Sequence, residues 1–160
     1  MRTLADLLLD QLRDIFSVER QLGPAFKELE DLADAKTLRR HLRLQRAATC
    51  QQMQRLEEIG SSKGWKLGGD GSKAMEGLVA GGRSHVRETE FPPARDYLIT
   101  AHARRIKRYE IAAYEVTFAL AEKLGLPESA LLKASLDEER QLAESLARIS
   151  GELLESVPQG

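Results

Sequence analysis

Residues 97–120 read YLITAHARRIKRYEIAAYEVTFAL, and the way this stretch presents itself decides the fold. Apolar residues recur at helical spacing through Ile99, Ile106, Tyr109, Ala113, Val116 and Leu120, which predicts one inward side of a long helix. Glu110 stands at the edge of that side, and Arg104, Lys107 and Arg108 stand off it. A carboxylate beside a core seam is the raw material of metal sites in helical bundles. The sequence therefore raises the question of whether the other parts of such a site are present.

Toward the N-terminus, Thr3 followed by Asp6 is an N-cap signal. An apolar stripe then runs through Leu4, Leu8, Leu12, Ile15, Leu22, Phe26 and Leu29, predicting a helix over about 3–33 with a kink at Gly23-Pro24. Asp34 to Lys36 leaves room only for a tight turn, so the next helix, about 37–60, returns antiparallel. Its apolar line is Leu38, Leu42, Met53, Leu56 and Ile59, interrupted in the middle by Gln45, Thr49 and Gln52. A bundle helix that turns polar only in its central turns faces either a polar partner or ligand, or solvent along one flank.

Residues 60–73 (GSSKGWKLGGDGSK) form a loop with Trp65 tacked onto the bundle, and 74–80 a short helix that Gly81-Gly82 weakens. Phe91-Pro92-Pro93 leads into a third long helix, about 95–124, which Gly125 stops. Pro127 suits the first turn of a last helix, 127–155, with Leu131, Leu142, Leu146, Ile149 and Leu153 inward. No strand pattern appears. The expectation is an all-α single domain over 1–160, an antiparallel four-helix bundle of ferritin-like wiring: two hairpins joined by a crossover over 61–94.

At 160 residues, 42% hydrophobic and 31% charged, the chain is of a size and composition to bury one core. A net charge of −1 exerts no general pull on nucleic acid or anionic membrane. The single Cys50 excludes an intramolecular disulfide and a cysteine-rich zinc site. MRTLADLLLDQLRD carries acids within its apolar stretch and reads as neither a signal peptide nor a membrane span, so a cytoplasmic location is expected.

Projected at about 100° per residue, Glu19 falls between Ile15 and Leu22 on the inner face of its helix. Glu110 lies at the rim of the third long helix, and Glu138 and Glu139 flank the seam of the fourth. Carboxylates from several helices on one level are the layout of a di-iron carboxylate centre. The competing reading leaves Glu138 and Glu139 solvated and pairs Glu19 with an arginine. A di-iron centre also takes Glu-x-x-His motifs, and none of His41, His85 and His102 has a glutamate at that offset. His102 lies roughly 12 Å along the axis from Glu110 and reads as a neutral core ring.

LADLLLDQLRDIFSVERQL at the start, AMEGL at 74–78, RYEIAAY at 108–114 and ALLKASLDEE at 130–139, with the spacing between them, resemble the bacterial YciE/YciF-type ferritin-like family over nearly the whole chain. The resemblance implies a stress-associated cytoplasmic protein, a homodimer of four-helix bundles, with iron or another di-metal pair inside each. The chain departs from the family where that metal would sit. A family pattern of His-Leu-Glu-Glu-Thr is here Gln45-Arg46-Ala47-Ala48-Thr49, followed by Gln52; Val-Glu-His-Tyr-Glu is Ile106-Lys107-Arg108-Tyr109-Glu110; an expected Asp is Ala143. Of the ligands the family implies, Glu19, Glu110 and Glu138 or Glu139 carry over. A hard di-cation pair needs about four carboxylates plus nitrogen donors to offset dehydration. With Lys107 and Arg46 added nearby, the expectation is a degenerate site with no metal and no catalytic residue.

Arg39, Arg40, Arg43 and Arg46 project within about 120° of one another, and Arg104 and Arg108 share the outer face of the third long helix. They are either solvated faces paired with acids or a docking surface for an acidic protein; with aromatics at 5% and no reading motif, nucleic acid is disfavoured. Cys50 sits on the same outer side. Two functions remain: a non-enzymatic binding or scaffold bundle, or a ferroxidase-like di-metal oxidase using Glu19, Glu110 and Glu139.

Overall fold

A computed structural model describes residues Met1–Gly160 as five helices and no strand: α1 (Leu4–Leu32), α2 (Lys36–Lys63), α3 (Lys73–Glu88), α4 (Pro92–Lys123) and α5 (Ser129–Leu154). Thr3 and Asp6 form a full capping box at the start of α1, and the helix runs without a break past Pro24. Both α2 and α4 end on glycines in the left-handed region, Gly64 at φ 67° and Gly125 at φ 64°. In each case the next residue donates back five positions, Trp65 to Gly60 and Leu126 to Ala121, which closes the last turn.

The long helices pack in the ring α1–α2–α5–α4–α1, and α3 lies against α4 and α1. Ring neighbours run antiparallel where they touch: Asp34 meets Asp96 while Glu19 meets Tyr114, and Ser62 meets Glu128 while Gln52 meets Glu139. No helix is long and apolar enough to cross a membrane. Asp96, itself buried, accepts from the backbone N–H groups of Asp34 and Ala35 at 2.8 Å each, so a side chain of α4 caps the turn that opens α2.

Two hydrophobic clusters fill the interior. One holds Leu22, Phe26, Leu38, Leu42, Ile99 and Ile106 among its members; the other holds Leu12, Ile15, Leu56, Ile59, Tyr114 and Leu132. Trp65 packs on the second.

Three expectations need correction. α3 continues through Gly81-Gly82 to Glu88 instead of ending at 80, because the absent Cβ at Gly82 is what lets α3 lie directly against the His102 ring. α4 starts at Pro92, since Pro92 and Pro93 occupy the first turn, where no donor is needed. The inward face of α4 is also partly turned from the one expected: Ile99 and Ile106 are buried as expected, but Val116 is exposed, Tyr109, Ala113 and Leu120 are half-buried, and Lys107 is buried. The residues facing the bundle axis are Thr100, Ala103, Lys107, Glu110, Tyr114, Thr117 and Ala121, spaced three and four apart as helix packing in a bundle requires.

Candidate functional site

Between the two hydrophobic clusters lies a polar layer contributed by all four long helices. Glu19 comes from α1, Gln45, Thr49 and Gln52 from α2, Lys107 and Glu110 from α4, and Glu139 from α5, each no more than 2% exposed. The polar interruption of α2 therefore faces inward, not solvent. Lys107 is three residues from Glu110 on one face of α4, which brings its Nζ to 2.9 Å from Glu110 Oε1. The same Nζ lies 2.5 Å from Glu139 Oε2 and 5.5 Å from the centre of the Phe26 ring. Gln52 Nε2 donates to Glu139 Oε1 at 2.8 Å, and Tyr114 donates to Glu19 Oε1 at 3.0 Å.

Burial of three carboxyl groups with one ammonium governs the electrostatics. Burial first, then the charges of Glu110 and Glu139, raises the Glu19 carboxyl far above the ordinary carboxylate range. Glu110 is pushed up to about 8 by burial and by Glu139, against the opposing charge of Lys107. For Lys107 itself burial works against the ammonium, but Glu110 and Glu139 outweigh it and hold it charged above its usual range. Tyr114 is raised by burial and then by Glu19. Glu19 Oε2 and Glu110 Oε2 have no protein donor, so a proton retained on one of these raised carboxyls supplies what the pair otherwise lacks. The amide oxygens Gln45 Oε1 and Gln52 Oε1 are likewise without a donor.

Of the sequence candidates, Glu19, Glu110 and Glu139 converge and Glu138 does not. Glu138 is half-buried and holds Arg55 through both its oxygens at 2.7 and 2.8 Å; burial would raise it, but Arg55 and Gln52 keep it below the usual range. Glu19 has no arginine partner; it accepts from Tyr114 and lies against Glu110. Ala47 is exposed, Ala48 and Ala143 are half-buried, and none brings a polar group to the layer. Arg46 is not near the cluster either: with Arg43 it clasps Glu30, at 2.8 and 2.9 Å.

The basic stripes are also partly used up. Arg39 Nε donates to the Ala33 carbonyl at 2.6 Å, which together with the Glu30 clasp leaves Arg40 as the one arginine of the α2 set with no protein acceptor. Arg104 and Arg108 are exposed on α4, diagonally across the ring from α2. Cys50 is free and exposed.

The donor set does not match a di-metal centre. Neither buried imidazole bonds a glutamate of the layer: His41 Nε2 is 2.9 Å from Gln45 Nε2, and His102 lies under α3. Burial lowers both rings to about 4, so both are neutral at pH 7. No three residues among His, Cys, Asp and Glu are grouped so as to hold a metal ion, and Lys107 places a positive charge where the carboxylates meet.

Sequence reasoning missed Lys107 as an inward group, Tyr114 as the partner of Glu19, and Arg55 as that of Glu138. The signal for the first two was the three–four spacing Ala103–Lys107–Glu110–Tyr114–Thr117.

Among known proteins, the chain is similar to Protein YciF of Escherichia coli (strain K12), 32% identical over 142 residues that cover 88% of this chain and 86% of that one. It superposes on the crystal structure of the E. coli stress protein YciF with a TM-score of 0.93 at 28% identity, covering 98% of this chain and 100% of the other. YcfI from Rhodopseudomonas palustris matches with a TM-score of 0.88 at 30% identity, over 92% and 94% of the two chains. The family described as a domain of unknown function, DUF892, matches residues 3–156, and the chain belongs to it.

Proposed function

We propose that this chain is a ferritin-like four-helix bundle that has given up the di-metal centre and works without catalysis, as a binding or scaffold protein. The observation that carries the reading is the Lys107 ammonium set between Glu110 and Glu139, with no imidazole bonded to either carboxylate. A fixed internal cation makes the site electrostatically self-sufficient, and a network of this kind rigidifies a bundle without a reaction to perform. The role is cytoplasmic and stress-linked, the latter in line with the E. coli relative's description as a stress protein. The chain forms a homodimer, and its free arginines, Arg40 on one side and Arg104 and Arg108 on another, offer separate patches to an acidic protein.

The test is metal analysis of protein purified from cells grown with added iron and manganese, followed by an oxygen-uptake assay with Fe(II). Absence of stoichiometric metal is the expected result. Two metals per chain with oxygen-dependent iron oxidation would replace this reading by a ferroxidase that uses Glu19, Glu110 and Glu139. Sedimentation velocity tests the homodimer, and capture of partners from native lysate by the wild type but not by Arg40→Glu or Arg104→Glu/Arg108→Glu tests the docking patches.

A further inference from the structure

We propose that α3 is an acid-released strap: a proton taken up by His102 beneath Gly82 lifts the C-terminal half of α3 off α1 and α4, while the four long helices stay folded.

α3 lies outside the four-helix ring, packed against α4 and α1. Its apolar side is thin. Met75 and Val86 are buried, Leu78 and Val79 half-buried, and all four join the cluster that holds Phe26, Leu29, Ile99 and Ala103. The N-terminal end is fastened by hydrogen bonds: the Ser72 N–H donates to Ser17 Oγ at 2.7 Å, and Gln21 Nε2 donates to the Ser72 carbonyl at 3.2 Å. The Ser72 and Tyr109 hydroxyls meet at 3.3 Å. The other half is held by charge, Arg83 and Arg87 reaching Glu28 of α1 at 2.9 and 2.5 Å, with both arginines exposed. Pairs at the surface hold weakly. A helix fastened at one end and loosely held along the other half can open locally without the bundle unfolding.

The trigger lies at the middle of the seat. His102 is 3% exposed, and its Nδ1 and Cε1 edge faces Gly82 so closely that a Cβ there would fall 1.9 and 2.0 Å from those two atoms. The void beside the ring measures about 10 Å³, too little to hold water around a charged group. An imidazolium donates from both nitrogens, and here the Nδ1 side meets helix backbone instead of solvent. The surrounding charges oppose it too. Arg105 stands one turn along α4 and Arg95 two turns back, and α3 brings Arg83 and His85. α1 brings Glu28, the one carboxylate lining the void, and both its arginine partners already hold it.

Burial first, then Arg105 and His85, hold the docked ring at about 4 against 6.5. Lifting α3 returns the ring to water and to its ordinary value, so opening is coupled to proton uptake. The docked value is the lower one. Docking is therefore fully in place above pH 6.5 and weakens as pH falls toward 4. His41 is buried as well, but it lies on α2, away from α3, and bonds Gln45, so its titration does not act on the strap.

The experiment is hydrogen exchange of the whole chain at pH 7 and pH 5, read as protection factors corrected for the intrinsic pH dependence of exchange. In the wild type, protection in the C-terminal half of α3 should fall about tenfold more than in the four long helices. An apolar dye should bind at pH 5 and not at pH 7. His102→Gln should remove the α3 response, and His41→Gln should keep it. Gly82→Ala should give at pH 7 the α3 exchange that the wild type reaches at pH 5. Protection in α3 that is the same at both pH values, or that falls only in step with the long helices, would overturn the proposal. So would a folded His102→Gln that keeps the wild-type response. Should that variant fail to fold, NMR of the wild type decides: the His102 ring and the α3 amides must titrate with one midpoint, and separate midpoints sink the proposal.

Discussion

Thirteen buried hydrophobic residues fill one end of the bundle and eleven the other, whereas the layer between them holds three glutamates, a lysine, two glutamines and a threonine. The ends are stabilised by removal of apolar area from water, a non-directional effect that tolerates swaps of similar volume. The middle depends on direction: each polar atom needs a specific partner, and several do not have one. Natural bundles gain nothing in stability from such a layer that a hydrophobic one could not supply. Here one lysine supplies the positive charge of the layer, held between two of its glutamates.

Cutting into an end should cost the most. Phe26→Ala empties a fully buried ring site and also removes the aromatic face below Lys107, so urea unfolding should show a loss of about 4 kcal/mol. In the middle, Glu139→Gln leaves the Lys107 ammonium with Glu110 alone and should cost about 3 kcal/mol in the same assay. If Glu139→Gln is neutral, the ion pair does not hold the layer together. Gly82→Ala places a methyl group in the His102 ring; about 2 kcal/mol should be lost, with hydrogen exchange rising in α3 before the long helices.

Acid should act through the two buried histidines, one beside each region. Burial is the first cause of their lowered values, about 4 against 6.5, so between those pH values the unfolded chain binds more protons than the folded one. Stability is then fully present above pH 6.5 and is lost as pH falls toward 4, by about 1–2 kcal/mol once partial solvent screening is allowed for. His41→Gln/His102→Gln should flatten that slope. The smallest effect is expected at Glu19, whose carboxyl burial raises far above the ordinary carboxylate range: Glu19→Gln preserves the shape and charge of the protonated form and should change stability by about 1 kcal/mol. A loss of several kcal/mol would mean that Glu19 is ionised and part of the ion pair.

The four long helices were legible because apolar residues recur at helical spacing through Leu8–Leu29, Leu38–Ile59 and Leu131–Leu153, and the ends carry their own signals in Thr3, Pro92 and Gly125. α3 was only half legible, since Gly81-Gly82 reads as a breaker when its real use is close packing on a residue twenty positions away. The glutamates of the middle layer could be placed from helical projection. Lys107 lies on the same three–four line but was passed over, because a lysine in an arginine-rich stretch is ordinarily a solvent-facing residue, and its burial follows from the carboxylates of Glu110 and Glu139. The rotation of α4 turned on the same point: Ala113, Val116 and Leu120 outweigh a neighbouring line that contains a lysine and a glutamate.

The carboxylate of Asp96 has a consequence for the order in which the protein is made. The turn between α1 and α2 leaves two backbone donors that only this residue, some sixty positions later, accepts from. While the nascent chain is shorter than that, the first hairpin can collapse on its leucines but its turn remains unfinished. Translation past residue 96 supplies the missing acceptor, so the first half of the molecule becomes complete only as the second half begins to emerge.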